Sequence, residues 1–372
     1  MSDPGTRPPG LRLALEADGD GAHPAAWRHS GRPPGAALTP RALRDVVAIA
    51  ESAGFALVTF ADSPLPPSAD PDAPGRIEAG VRAAYVSTLT DRIGLAPTLQ
   101  VTTTEPFHLA TQLASLDHAA RGRAGWVVGA ANGVDDLATV GGVPLGAEEL
   151  RQETADVIDT ARALWDSWED DAVIKDAVTG RYLDHNRVHP VDFEGARFTV
   201  KGPLITPRPP QGQLVVLVPD ALDADDRADV VLVDRPDLAA LADRAALARA
   251  VGAPLVFAEL ELVLDTDVPA AERLAALDGS GSGPWPPSGR LRHVGSPAAL
   301  VELLTRLAEL VDGVRLHPAV LAADLPVLAA QVLPALAAAG LHRAPRPGDT
   351  LRSTLGLPRP ANRFAAAATT SA

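Results

Sequence analysis

Cysteine is absent from this sequence of 372 residues, which excludes disulfides, thiolate metal sites and cysteine nucleophiles. Positive charge is also scarce. The 33 Lys and Arg stand against 47 Asp and Glu, a net charge of −14, and nearly all the cations are arginine. That balance argues against nucleic acid or an anionic membrane surface as the main partner. No uninterrupted apolar run has spanning length, and the opening residues MSDPGTRPPG carry no apolar signal region, so a cytoplasmic protein is expected. Three motifs are missing as well: no GxGxxG follows the first strand, no HExxH occurs, and the nearest Gly-x-Ser-x-Gly, GSGSG at 279–283, lies in a Pro-rich link rather than between a strand and a helix.

What is present is a globular composition, 46% hydrophobic and 22% charged, with ample material for a core. The organising stretch is EPFHLATQLASLDHAARGRAGWVVGA, residues 105–130. Glu105 and Pro106 suit a helix start, Leu109, Leu113 and Leu116 recur at helical spacing, and Arg121–Gly122 suit its end. The apolar run 124–130 that follows is strand length, so helix and strand together form half of a β/α repeat. Further strands are expected at 11–17, 55–60, 93–99, 214–218, 228–233, 255–264 and 313–316. Helices are expected at 38–53, 77–90, 146–168, 236–251, 296–310 and 321–339. Eight strands alternating with helices predict an α/β protein of the (β/α)₈ TIM-barrel type. The chain reads as a single domain over 1–372, with a hairpin excursion at 170–201 after the fourth helix, a flexible link at 279–289 and a disordered tail at 365–372.

Four blocks, EPFHLATQLASLDHAARGRAGW, LWDSWEDDAVIKD, FTVKGPL with PRPPQG, and TLRSTLGLPRPANRF, resemble the bacterial-luciferase-like flavin monooxygenases. The branch they resemble is that of the nitrilotriacetate, EDTA and dibenzothiophene-sulfone monooxygenases, in the same order from about Trp27 to Phe364. The resemblance implies an FMN-dependent two-component monooxygenase. Reduced FMN comes from a separate flavin reductase, O₂ adds to it, and a small organic substrate is oxygenated at the C-terminal mouth of the barrel. The flavin carries the hard chemistry and the protein supplies orientation and hydrogen bonds.

The resemblance assigns cofactor contacts to Asp62, to Thr102, Thr103 and Thr104, and to the region of Trp126 and Asn132. Asp62 equally suits a loop carboxylate or an N-cap, and His108, in the EP-aromatic-His block, reads rather as packing against the barrel. Arg151 falls where the family has a Tyr, and reads either as a phosphate contact or as a solvated charge. The catalytic residues and the substrate stay unassigned, and no metal site is expected.

The sequence also departs from the family. Where an Asn and a Thr-Ser pair face the flavin, this chain has Val127, Ala130 and Ala131, and Asn132 lies one step on. The glycine- and serine-rich phosphate turn after strand five reads VPDALDADDRAD, with Asp220, Asp223, Asp225, Asp226 and Asp229 and neither Gly nor Ser. The alternative is therefore a non-catalytic barrel paralogue that has lost flavin and serves as a binding or partner subunit. The Ala-rich helix 321–339 is the surface expected to support a homodimer.

Overall fold

The computed structural model describes residues 10–33, 35–67, 75–281 and 283–368. Eight parallel strands close on themselves: β1 (Arg12–Glu16), β2 (Leu57–Phe60), β3 (Gly94–Gln100), β4 (Gly125–Gly129), β5 (Val215–Pro219), β6 (Val230–Val233), β7 (Leu255–Leu264) and β8 (Gly313–Pro318). Each pairs with the next, and β8 returns to β1 with Arg12 beside Gly313. The expected barrel is therefore present, with every strand near its expected place. The strands were legible because both of their faces are buried, one against side chains in the barrel and one against helices, which yields continuous apolar runs.

Helices α1 (Pro40–Ala53), α2 (Ala79–Ser87), α3 (Pro106–Ala119), α4 (Ala147–Asp166), α5 (Leu238–Ala250), α6 (Ala270–Asp278) and α7 (Pro297–Leu307) form most of the outer layer. Their starts follow local chemistry. Thr39 accepts from the Ala42 N–H, Ser296 accepts from that of Ala299, and the Glu105 carboxylate accepts from Phe107 and His108, each ahead of a proline. The helix after β8, Leu321–Ala338, passes through a π turn at Leu328–Val332, where Pro334, lacking an N–H, denies residue 330 its regular bond. By length and composition alone this helix is apolar enough to cross a membrane. Here it packs on α1 and α7, and its buried Asp324 is held by Arg273 at 2.6 Å.

Three features depart from the simple repeat. Between β5 and β6 there is no helix, only two 3₁₀ turns, Asp220–Leu222 and Asp225–Arg227. Between α4 and β5 run two antiparallel hairpins, Val173–Asp176 with Arg181–Leu183 and Phe193–Glu194 with Thr199–Val200. After α6 a ninth parallel strand, Leu291–Gly295, pairs with the outer half of β7 beyond the end of β6. In the stretch expected as a flexible link at 279–289, the described Trp285 is anchored: it is buried, its backbone N–H donates to Asp278, and Arg292 stacks on its ring. Of the tail expected at 365–372, residues 365–368 belong to the helix Arg363–Ala368 and the rest lies outside the described residues.

The barrel floor is closed by a short helix, Leu351–Leu355, whose leucines join Ala14, Leu57, Ala96, Val127, Leu217 and Phe257 in one apolar plug. Gly94 and Gly125 make room for it, since a Cβ on either would come within 3.0 Å of Leu351. Arg352 fixes the helix by donating to the carbonyls of Gln213 and Leu214 and to Asp229 at 3.0 Å.

Candidate functional site at the barrel mouth

With the floor sealed, the opposite end remains open. There the inward positions stop being apolar. Along β7 the inner face runs Leu255, Phe257, Glu259, Glu261, and along β8 it runs Gly313, Arg315, His317, because alternate residues of a strand share a face. Glu16 and Thr59 complete the layer from β1 and β2. Arg315 grips Glu259 through two bonds of 2.8 and 3.0 Å and reaches Glu16 at 3.1 Å. Thr59 donates to the same oxygen of Glu16 at 2.6 Å. His317 Nε2 lies 2.6 Å from Glu259, and Arg290, just before the ninth strand, lies 3.3 Å from Glu259 and 3.5 Å from Glu261. Arg292 and Ser288 take the remaining valences of Glu261.

Burial opposes ionisation of Glu259, but Arg315, His317 and Arg290 outweigh it and hold the carboxyl well below its usual range. Burial pushes the His317 imidazole down, partly offset by Glu259. The neutral ring then donates Nε2–H to Glu259 and keeps the Nδ1 lone pair. Above this layer is a cavity of about 510 Å³, bordered by Asp62, Gln100, Gly129, Leu222, Arg290 and His317. It offers a substrate the imidazole of His317, which can accept or carry a proton, and the guanidiniums of Arg290 and Arg315, which can orient a polar group.

The residues assigned by resemblance are used differently. Asp62 borders the cavity, but its two oxygens accept the N–H groups of Ser63 and Ala79, tying β2 to α2. Thr102 donates to the Ala131 carbonyl at 2.7 Å, and Thr103 and Thr104 lie in the turn before α3. Trp126 is fully buried in the core between barrel and helices, its indole N–H donating to Leu99. Asn132 clasps the backbone of Leu145 in both directions at 2.8 Å. Arg151 is paired with Glu148 on α4. Only Asp62 reaches the mouth. Glu16, Glu259, Glu261, Arg290, Arg315 and His317 were missed; for Glu259 and Glu261, and for Arg315 and His317, the signal was a polar residue at i and i+2 within an otherwise apolar strand.

The connection where the resemblance places the FMN phosphate has a settled structure of its own. Asp220 is held by Arg235 and Arg244 at 2.5 Å, Asp225 by Arg244 at 2.6 Å, and Asp226 by Arg227 at 2.6 Å. With the helix absent there is no helix N-terminus to receive an anion, and the turns present carboxylates instead. These residues do not fit an FMN phosphate.

The family model described as luciferase-like monooxygenase matches residues 22–259. The chain is 36% identical over 247 residues to one of the pristinamycin IIA synthase subunits of Streptomyces pristinaespiralis, covering 66% of this chain and 80% of that one. It is 34% identical over 209 residues to N-acetyl-S-(2-succino)cysteine monooxygenase of Bacillus subtilis strain 168, covering 56% of this chain and 47% of that protein. It thus spans about half the length of the Bacillus relative. Among solved structures, the EDTA monooxygenase from Chelativorans sp. BNC1 shares the fold with a TM-score of 0.79 at 21% identity, over 94% of this chain and 99% of that chain.

Proposed function

The chain belongs to the luciferase-like monooxygenase family, and from that premise we propose that it oxygenates a small organic molecule at the barrel mouth, using reduced flavin supplied by a separate reductase in the cytoplasm. The observation that carries this reading is the open cavity of about 510 Å³ over a layer of buried, salt-bridged charges. The chain's own contribution is positioning. Glu259 fixes the tautomer of His317, and Nδ1 and Arg290 orient the substrate, as in other sites where an imidazole is set by a carboxylate. Asp62 would order the rim.

A second reading is favoured by the salt-bridged turns between β5 and β6. In it the chain is a partner subunit that holds no flavin of its own, in keeping with a relative named as one subunit of a synthase. One titration separates the two. Reduced and oxidised FMN are added to the pure protein and binding is followed by flavin fluorescence and calorimetry. Affinity clearly tighter than millimolar in either state supports the first reading. Affinity no better than millimolar in both states removes it and favours the second.

A further inference from the structure

Beside the mouth, and separated from it by the turn Asp18–Ala22, lies a second cavity of about 180 Å³. Leu43 and Val46 of α1, with Ile77 and Leu321, give it an apolar wall. Its other wall is a set of cations already partly engaged. Arg76 grips Asp18 through bonds of 3.1 and 2.9 Å, and Arg82, which is 6% exposed, donates its two terminal nitrogens to the carbonyls of Ala17 and Ala61.

After these bonds three buried donors remain without a partner among the described residues, Nη1 of Arg76, Nε of Arg82 and the indole Nε1 of Trp27, against one unpartnered acceptor, Oδ1 of Asp20. All three residues line this one cavity, and Arg28 stacked 4.2 Å from the ring centre holds the indole in place. Buried donors are ordinarily satisfied, so three around one void call for an acceptor. In the lining the guanidiniums of Arg32, Arg76 and Arg82 face the carboxylates of Asp18 and Asp20, and Glu16 and Asp62 act on Arg82 from just outside it.

We propose that this cavity binds a small organic monoanion, a carboxylate carrying a short aliphatic or aromatic group. The carboxylate accepts from Trp27, Arg76 and Arg82, and the apolar group rests on Leu43, Val46 and Leu321. The volume lies below the range of about 300–1,000 Å³ typical of drug-sized ligands, so the anion is small. The site is independent of the monooxygenase reading and needs no flavin.

Benzoate and isovalerate are the probes. Their binding is followed by the indole N–H resonance of Trp27, identified with Trp27→Phe, and by calorimetry. The expected result is saturable binding that shifts this resonance. Trp27→Phe, which removes the indole donor, and Arg82→Lys, which keeps the charge but loses the Nε donor and the guanidinium fork, should each weaken it about tenfold or more. Benzamide should bind more weakly than benzoate, and Arg290→Gln at the mouth should change nothing. Absence of binding at millimolar benzoate overturns the proposal. So does binding unaffected by Trp27→Phe, binding lost with Arg290→Gln, or equal displacement by chloride. Should Arg82→Lys fail to fold, the Trp27→Phe comparison decides alone.

Discussion

Glu259 and Arg315 meet inside a cylinder from which solvent is withdrawn, so neither charge has water to fall back on. Removing one member of such a pair leaves the other uncompensated, whereas replacing both with apolar residues need not cost stability. Arg315→Met, which strands both Glu259 and Glu16, is accordingly expected to cost about 3–5 kcal/mol, read from urea midpoints. Asp117 offers a pH test. It ends α3 fully buried, accepting from the Ala124 N–H at 3.0 Å and from Gln211 at 2.6 Å, and burial raises its pKa to about 7. The unfolded chain releases this proton near the ordinary value of 3.8 while the folded chain keeps it, so stability contributed here falls as pH rises from 3.8 to about 7. Asp117→Asn should remove that slope from a stability profile, and an unchanged slope would contradict the assignment.

At the scale of elements, the strands and most helices could be read because burial and capping write themselves into residue order. Glu105 illustrates it: its carboxylate accepts from two backbone N–H groups at the start of α3. Glu105→Ala should cost about 1 kcal/mol in thermal unfolding. The strand Leu291–Gly295 escaped notice because only Leu291 in it is buried, which leaves a mixed pattern rather than an apolar run. The floor helix Leu351–Leu355 escaped because five residues are too few for a helical period to emerge. The mouth was the least legible part. Glu259 and Glu261 sit in an apolar strand as apparent interruptions, and only closure of the barrel reveals that they share its interior with Arg315 and His317. The passage between β5 and β6, by contrast, was visible as VPDALDADDRAD, a run of carboxylates without Gly or Ser, and it is too short to hold a crossover helix.

Across the whole molecule, the blocks that carry the family resemblance meet away from the mouth. Arg208 joins Asp166 at 2.8 Å and Asp170 at 2.9 Å, Arg359 joins Asp170, and Asn362 donates to the carbonyls of Asp166 and Trp168. LWDSWEDD, PRPPQG and LPRPAN are thus one clasp assembled from three distant stretches. This explains how family likeness can persist while the flavin phosphate turn is replaced. Arg208→Ala is expected to lower stability by about 3–5 kcal/mol, because Asp166 stays buried, and to leave the second cavity intact; denaturant titration together with benzoate binding checks both halves.

The apolar stopper Leu351–Leu355 enters only after all eight staves are in the chain. During synthesis the emerging cylinder therefore has an unlined base until residue 355 clears the ribosome, and its strands expose their inner leucines for that interval. A chain halted at residue 345 should be collapsed, dye-binding and prone to aggregate, and a separate peptide of residues 346–364 should rescue it in trans.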